Sequence, residues 1–462
     1  MINHFSFKQF SDSHLLLTND FGAYSFVTRK ELKGLLENTL PQDGALYSEL
    51  CENGFILPYS SQELADMVST RYRNAKNYLF GATSLHIFVL TTACNLNCIY
   101  CQARDHEDDP HSKMDIATAQ RAVDIALQSP EKVLSFEFQG GEPTLNDETL
   151  RFIVTYAEQH KGHHELLFSV VTNLIHCTEE MMDFFKAHHI HVSTSLDGHA
   201  MLHDLNRSTR AKQGTHSIVC SSVKTLQQRE IPVGAIQTTT RHSLPYAKEI
   251  VDSYRDLGFN SIFVRPLTKL GTAVGNWEEI GYEADEFVRF YEECLQYIID
   301  LNKQGISFTE GHASLFLSKI LHGKAQNYME LRSPCGAAVG QVAYFCNGDV
   351  YTCDEGRMLA SMGDTAFKLG NVFTHTYDEM MASPVCKTVC LSSTLEGLPE
   401  CADCVYHPYC GTCPVLNYAA DRNIFKRQAQ DYRCRIYKGM LDTIFKILYR
   451  NDPEEIAIIS KW

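Results

Sequence analysis

The chain has 462 residues, a formal net charge of −15 and 17 cysteines. Its share of hydrophobic residues, 44%, is ordinary for a globular protein and excludes disorder as the main state. The acidic balance argues against a nucleic-acid surface, which concentrates Lys and Arg. Without a long apolar run or a signal-peptide pattern, we expect a cytoplasmic protein with no membrane partner. Disulfides are rare in that compartment, so metal or cluster ligation is the first role to test for the cysteines.

The length suggests about three domains, and the residue pattern changes twice along the chain. Residues 1–80 have the pattern of a small α+β unit, in which Thr28 and Glu31 form a capping box before a helix. We expect a second domain over residues 81–325. A third, over residues 326–462, is rich in cysteine and shows no helical periodicity until 437–449.

The second domain alternates strand and helix patterns, which predicts a parallel sheet covered by helices and permits a barrel. A charged loop at 104–113 follows the first strand. The predicted strands are 85–90, 133–138, 166–171, 191–196, 233–237 and 262–264, and the predicted helices include 148–160, 179–188, 217–228, 246–257, 283–303 and 313–322.

Three cysteines, Cys94, Cys98 and Cys101, follow the first strand with the spacing C-x3-C-x2-C. Three thiolates so close together can hold one face of an iron–sulfur cubane. Such clusters normally take four cysteines, so one iron would stay open to another ligand. The alternatives are an incomplete zinc site and unrelated thiols, but structural zinc takes four ligands and no fourth stands nearby.

The second predicted strand ends in Gly140-Gly141-Glu142-Pro143. With the cysteine triplet, this motif resembles the radical S-adenosylmethionine (SAM) enzymes. The resemblance implies a partial (β/α)6 TIM-type barrel and a 4Fe–4S cluster whose open iron is chelated by SAM. It also implies that Gly140, Gly141 and Glu142 bind the methionine amino group and that Tyr100 contacts the adenine. An ordinary βα turn is the alternative for the glycine pair.

Two further segments resemble the SxDG and HxxNR motifs of peptide-modifying members of that family. They begin at Ser195 and His203. The match implies that Ser195 contacts the SAM ribose and Arg207 its carboxylate, and that Leu267 lines the adenine pocket. For Arg207, a surface salt bridge is the alternative.

The last 130 residues carry a second cysteine pattern, which is similar to the seven-cysteine SPASM extension of radical enzymes that modify peptides. The resemblance implies two auxiliary 4Fe–4S clusters. One would be bound by Cys401, Cys404, Cys410 and Cys434, and the other by Cys335, Cys353 and Cys413. The spacing before Cys413 is one residue short, and Cys346 is an extra candidate ligand for the second group. Taken alone, the two Cys-x2-Cys pairs could instead form a zinc ribbon.

Two further features of the sequence concern the substrate. Asp354 follows Cys353, where sulfatase-maturing relatives carry an acid that takes a proton from the substrate; a solvated hairpin carboxylate is the alternative. Residues 1–80 resemble the winged-helix peptide-recognition element of many peptide maturases, which binds leader peptides by strand addition. A purely structural subdomain is the alternative for this unit.

The resemblance extends furthest with the maturases of His-Xaa-Ser peptide systems, over most of residues 85–415. It implies an enzyme that abstracts a side-chain hydrogen from a ribosomal precursor peptide and installs a cyclophane-type crosslink. An external flavodoxin- or ferredoxin-like protein would donate the electron. The alternatives are a sulfatase-type maturase that forms formylglycine, a non-catalytic peptide-binding scaffold, and a zinc-dependent nucleic-acid binder.

Overall fold

The computed structural model describes residues 1–57, 61–103, 112–325 and 329–462. The strands are β1 (Ser6–Gln9), β2 (His14–Thr18), β3 (Tyr24–Thr28), β4 (Leu85–Thr91), β5 (Val133–Gly140), β6 (Glu165–Val171), β7 (His191–Ser195), β8 (Val233–Thr238), β9 (Ser261–Arg265), β10 (Thr309–Glu310), β11 (Gln341–Tyr344), β12 (Asp349–Tyr351) and β13 (Lys368–Asn371). The helices are α1 (Arg29–Leu36), α2 (Ala45–Glu52), α3 (Ser61–Ala75), α4 (Ile116–Ala126), α5 (Asp147–His160), α6 (Glu179–Ala187), α7 (Ala200–Asn206), α8 (His216–Gln228), α9 (Ala247–Asp256), α10 (Thr272–Gly275), α11 (Trp277–Ile280), α12 (Ala284–Lys303), α13 (Gly311–His322), α14 (Asp354–Ser361), α15 (Tyr377–Met381), α16 (Pro384–Ser393), α17 (Pro414–Asp421), α18 (Tyr432–Arg450) and α19 (Pro453–Ile459).

The centre of the molecule is a sheet with the strand order β10-β9-β8-β7-β6-β5-β4-β11-β12-β13. From β4 to β9, each strand pairs in parallel with the next one along the chain, and helices connect them. β4 is almost entirely buried because both of its faces are covered, as its continuous apolar run predicts. The six predicted strands are all present, and the partial (β/α)6 barrel is confirmed.

The cysteine-rich segment adds three strands to one edge of this sheet. β11 pairs in parallel with β4, with Val342 opposite His86, and β12 and β13 follow antiparallel. The expectation that helical structure fades before residue 437 is wrong, since α14, α16 and α17 each have eight or more residues. Cys353 and Cys413 directly precede α14 and α17, and α16 contains two cysteines, so cysteines obscure the short helical patterns.

Residues 1–57 form the antiparallel sheet β1-β2-β3 with two short helices. The predicted capping box is present, because the Thr28 amide donates to Glu31 Oε2 (2.7 Å) and the Glu31 amide donates to Thr28 Oγ1 (3.2 Å). Phe26 packs edge-on against Tyr449 of α18, with ring centroids 5.0 Å apart. The unit therefore packs against α18.

No helix in the described ranges is long and apolar enough to cross a membrane. Most of the charged loop expected at 104–113 lies outside the described residues.

Candidate active site

The carboxyl ends of β4 to β9 open into a cavity of about 570 Å³. In barrels of parallel strands, this end carries the functional loops. Its lining includes the predicted residues Cys94, Cys98, Tyr100, Cys101, Gly140, Gly141, Glu142, Ser195, Arg207, Cys335, Asp354 and Cys413. The structure thus brings most of the separately predicted residues to one space.

The loop with the cysteine triplet docks directly on the glycine pair. The Gly141 amide donates to Thr91 O (2.7 Å), and the Glu142 amide donates to Ala93 O (2.8 Å). A Cβ on Gly140 would lie 2.2 Å from Thr91 O, and one on Gly141 would lie 2.3 Å from Ala93 O. Only glycine lets the two backbones approach this closely. The pair therefore holds the cysteine loop against the end of β5.

Glu142 is buried and is held by donors of the chain itself. Its Oε1 accepts hydrogen bonds from the Thr144 amide (3.1 Å), Thr144 Oγ1 (2.7 Å) and Thr172 Oγ1 (2.7 Å), and its Oε2 accepts one from the Asn173 amide (2.8 Å). Burial raises the pKa of this carboxyl, and these hydrogen bonds oppose the shift. Glu142 thus ties the loop after β5 to the loop after β6.

Tyr100 connects the cysteine loop to the two motifs after β7. Its hydroxyl donates to Asp197 Oδ2 (2.7 Å) and accepts from an Arg207 guanidinium nitrogen (2.9 Å). Asn206 Nδ2 also donates to Asp197 Oδ2 (3.0 Å). Burial raises the pKa of the Asp197 carboxyl, and the Arg207 charge opposes the shift. The network fixes Arg207 at the cavity wall, 5.9 Å from the Tyr100 ring centroid.

Ser195 ends β7 and faces the cavity, whereas Leu267 is buried in the core. The Leu267 amide donates to the Tyr282 hydroxyl (2.6 Å). Its neighbours Pro266 and Thr268 line the cavity instead.

Three cysteines of the C-terminal segment, Cys335, Cys353 and Cys413, lie in one small buried cluster. Burial raises the pKa of the Cys335 thiol to about 12, and Glu355 adds to the shift. Cys335, Cys413 and Glu355 line the same cavity as the first triplet. Two of these three C-terminal cysteines and the triplet Cys94, Cys98 and Cys101 therefore face one common space.

The structure does not bring Cys346 into that group. Its thiol lies 3.2 Å from Val89 O and 3.5 Å from Ser112 O, against the barrel strand β4 and the loop beyond it.

Asp354 is the first residue of α14 and lines the cavity. Its Oδ1 accepts from Arg357 Nε (2.7 Å), and a terminal nitrogen of the same guanidinium donates to Gln139 Oε1 (2.9 Å). Gln139 Nε2 in turn donates to Glu137 Oε1 (2.6 Å). Burial raises the pKa of Glu137, and the Asp354 charge adds to this shift. The sequence reasoning missed Glu137, Gln139 and Arg357; the inward positions of β5 could have indicated the first two.

The remaining four cysteines, Cys401, Cys404, Cys410 and Cys434, line a second pocket, and Cys413 borders both this pocket and the cavity. Burial raises the pKa values of the Cys401 and Cys410 thiols to about 12, and the neighbouring thiols add to both shifts. These four cysteines and Cys335 thus line two neighbouring spaces, with Cys413 at the border of both.

The donor sets fit iron–sulfur clusters, for which cysteine thiolates are the usual ligands. Cysteines of each group line a space larger than a single metal ion needs. In the described part of the chain, no group of three or more His, Cys, Asp or Glu residues is arranged to hold a single metal ion.

Comparison with known proteins matches part of the chain to a known superfamily. Residues 88–257 match the radical SAM superfamily. An uncharacterized protein of Synechocystis sp. is 33% identical over 193 residues, which are 39% of this chain and 48% of the relative, so the match spans about half of that relative. A cysteine-type anaerobic sulfatase-maturating enzyme of Clostridium novyi is 23% identical over 71% of this chain and 86% of its own length. The radical SAM cyclopropyl synthase TigE of Paramaledivibacter caminithermalis is 23% identical over 73% of this chain and 69% of its own length.

Two solved structures share the fold. The structure of native anSMEcpe with bound AdoMet has a TM-score of 0.69 at 19% identity and covers 80% of this chain and 98% of its own. Streptococcus suis SuiB bound to the precursor peptide SuiA has a TM-score of 0.54 at 15% identity and covers 94% and 99%.

Proposed function

We propose that this chain, which carries a radical SAM domain, is a SPASM-type maturase that installs a crosslink in a ribosomal precursor peptide. When bound, the cluster at Cys94, Cys98 and Cys101 with SAM would supply a 5′-deoxyadenosyl radical that takes a hydrogen from a peptide side chain. The auxiliary clusters would be 4Fe–4S clusters bound by the two C-terminal cysteine groups.

One observation carries this proposal: the cysteine triplet and the auxiliary thiols Cys335 and Cys413 line the same cavity. A substrate side chain in a space of about 570 Å³ would lie between the radical source and an electron acceptor. Coupling two residues of a peptide removes two hydrogens, so one electron beyond the abstracted hydrogen atom must leave the substrate. A second redox site facing the same space meets that requirement.

The chain's own residues position the reactants. The glycine pair and Glu142 fix the cysteine loop, and the Tyr100–Asp197 pair orients Arg207 toward the carboxylate of SAM. The buried barrel walls exclude water from the reacting atoms, which protects a carbon radical from side reactions. Asp354 directly follows Cys353 in the sequence and is held by Arg357. It would receive the substrate proton.

Formylglycine formation is the second candidate, because Asp354 lines the cavity and a sulfatase-maturating relative aligns over 71% of the chain. The cyclopropyl synthase relative aligns over a similar share, 73%, and its name describes the formation of a new ring, which favours bond formation. The two outcomes differ in the product, which carries either an aldehyde or a new bond between residues.

The partners follow from the same proposal. Residues 1–80 would bind the leader of the precursor peptide, with β1 and β3 as the edge strands to which the leader would add. SuiB, which shares the fold, has been solved with its precursor peptide. An external flavodoxin- or ferredoxin-like protein would deliver the electron.

The test is anaerobic co-expression with a short peptide encoded beside the gene, followed by tandem mass spectrometry. We expect the peptide to lose two hydrogens per modified motif and to resist fragmentation between the joined residues. The Cys94→Ala variant should leave the peptide unmodified. If the product instead reacts with a hydrazide probe, it carries an aldehyde, and formylglycine formation becomes the assigned reaction. Unmodified peptide with every neighbouring candidate would contradict the maturase proposal.

A further inference from the structure

The pocket around Cys401, Cys404, Cys410 and Cys434 contains an ammonium group that the proposed function does not use. Lys438 lines this pocket together with all four cysteines. It lies four residues after Cys434 in α18, so the two side chains share one face of the helix. Helical side chains lean toward the N-terminus, which directs the lysine back over the cysteine.

The other charged residues of this pocket are already paired. Glu400 accepts from Arg427 (2.5 Å), and Arg433 donates to Glu330 (3.0 Å). Asp431 lies 2.6 Å from the ammonium of Lys426. Across the described ranges, no carboxylate forms an ion pair with Lys438. Its counter-charge would be the thiolates of the four cysteines that line the same pocket.

A second lysine approaches the same group from the barrel side. Lys319 of α13 is buried, and its ammonium donates to Leu331 O and to Tyr409 O (3.3 Å), the carbonyl directly before Cys410. A buried ammonium is costly without an opposite charge. In the part of the chain that the structure describes, no carboxylate pairs with Lys319. Lys319 and Cys410 line one pocket, which Asp20 and Arg332 also border.

We infer that Lys319 and Lys438 form a pair of ammonium groups that compensates the negative charge of the four-cysteine cluster and raises its reduction potential. The inference rests on the auxiliary cluster of the proposed function. Reduction adds one negative charge to a cluster already carrying four thiolates. Positive charges held beside it stabilise the reduced form more than the oxidised form, and net charge is one of the factors that set cluster potentials. The pair would therefore make this cluster easier to reduce than it would be without the two lysines.

The experiment is a redox titration followed by electron paramagnetic resonance in full-length protein reconstituted with iron and sulfide. The background variant carries Cys94→Ala, Cys98→Ala and Cys101→Ala, which leaves only auxiliary clusters. Adding Lys438→Met removes the charge and keeps the apolar stem. We expect one auxiliary signal to move to a lower potential while the other stays in place. Lys438→Arg, which keeps the charge, should restore the potential.

Lys446→Met serves as the matched control, because Lys446 lies on the same helix and pairs with Glu292 at 3.2 Å. It should move neither signal. Lys319→Met should lower the same potential as Lys438→Met; because Lys319 is buried and could be needed for folding, the Lys438 variants decide the question on their own. Unchanged potentials in Lys438→Met would overturn the inference. If the background variant binds no iron, the result would instead contradict the proposal that the C-terminal cysteines bind clusters.

Discussion

At the scale of single residues, Tyr100, Asp197 and Arg207 show how separate motifs meet. The sequence predicted Tyr100 and Arg207 as SAM contacts from a family pattern, each on its own. The structure joins them through the Tyr100 hydroxyl, which donates to Asp197 and accepts from Arg207. Asp197 had no predicted role because its function depends on a contact across 97 residues of chain.

Tyr100→Phe tests this junction. The substitution leaves the buried Asp197 and Arg207 charges without their shared partner, and we expect the free energy of unfolding to fall by about 1–3 kcal/mol. SAM should also bind more weakly because Arg207 loses its orientation. Urea denaturation and equilibrium dialysis with SAM measure the two effects. Tyr246→Phe, at a tyrosine whose hydroxyl makes no hydrogen bond with described residues, is the control.

The thiol groups give a second prediction at this scale. Cys353 is buried with Cys335 and Cys413, whereas Cys346 contacts main-chain carbonyls of the barrel. Cys353→Ala should therefore lower the iron and sulfide bound per chain, and Cys346→Ala should leave both unchanged. Chemical analysis after reconstitution measures this. If both variants lose the same amount of iron, the prediction is wrong and Cys346 is a cluster ligand.

At the scale of elements, the barrel strands and most helices could be predicted because their apolar periodicity is local. The glycine pair was predicted for a different reason, as part of the site that binds the methionine amino group of SAM. In the structure, it leaves room for the backbone of the cysteine loop at Thr91 and Ala93. That contact joins the ends of two neighbouring strands. The residue pattern of a single strand cannot predict it.

Gly141→Ala should push the cysteine loop away from β5, because the new Cβ would lie 2.3 Å from Ala93 O. We expect overpacking to cost about 1–3 kcal/mol of stability and to lower iron binding at the first triplet. The control is Gly234→Ala on β8, where nothing lies within 4 Å of the added atom. Iron analysis in a Cys353→Ala/Cys404→Ala background isolates the first site. Normal iron in Gly141→Ala would contradict the docking role.

At the scale of the whole molecule, the sequence predicted three domains but not how the last one joins the barrel. β11 pairs with β4 although Val342 and His86 are far apart along the chain. Such long-range pairing leaves no local pattern in the sequence. The short helices α14, α16 and α17 were missed because cysteines lie within them or directly before them. The added strands bring Cys335 and the helix with Asp354 to the open end of the barrel. The common cavity is thus a property of the assembled sheet.

The central claim is that this cavity performs radical SAM chemistry. The most direct measurement is the release of 5′-deoxyadenosine from SAM by the reconstituted, chemically reduced protein under anaerobic conditions. We predict its formation by the unaltered chain and its loss in Cys94→Ala, with the auxiliary iron retained. A protein that carries its full complement of iron and sulfide, binds SAM and releases no 5′-deoxyadenosine would contradict the account.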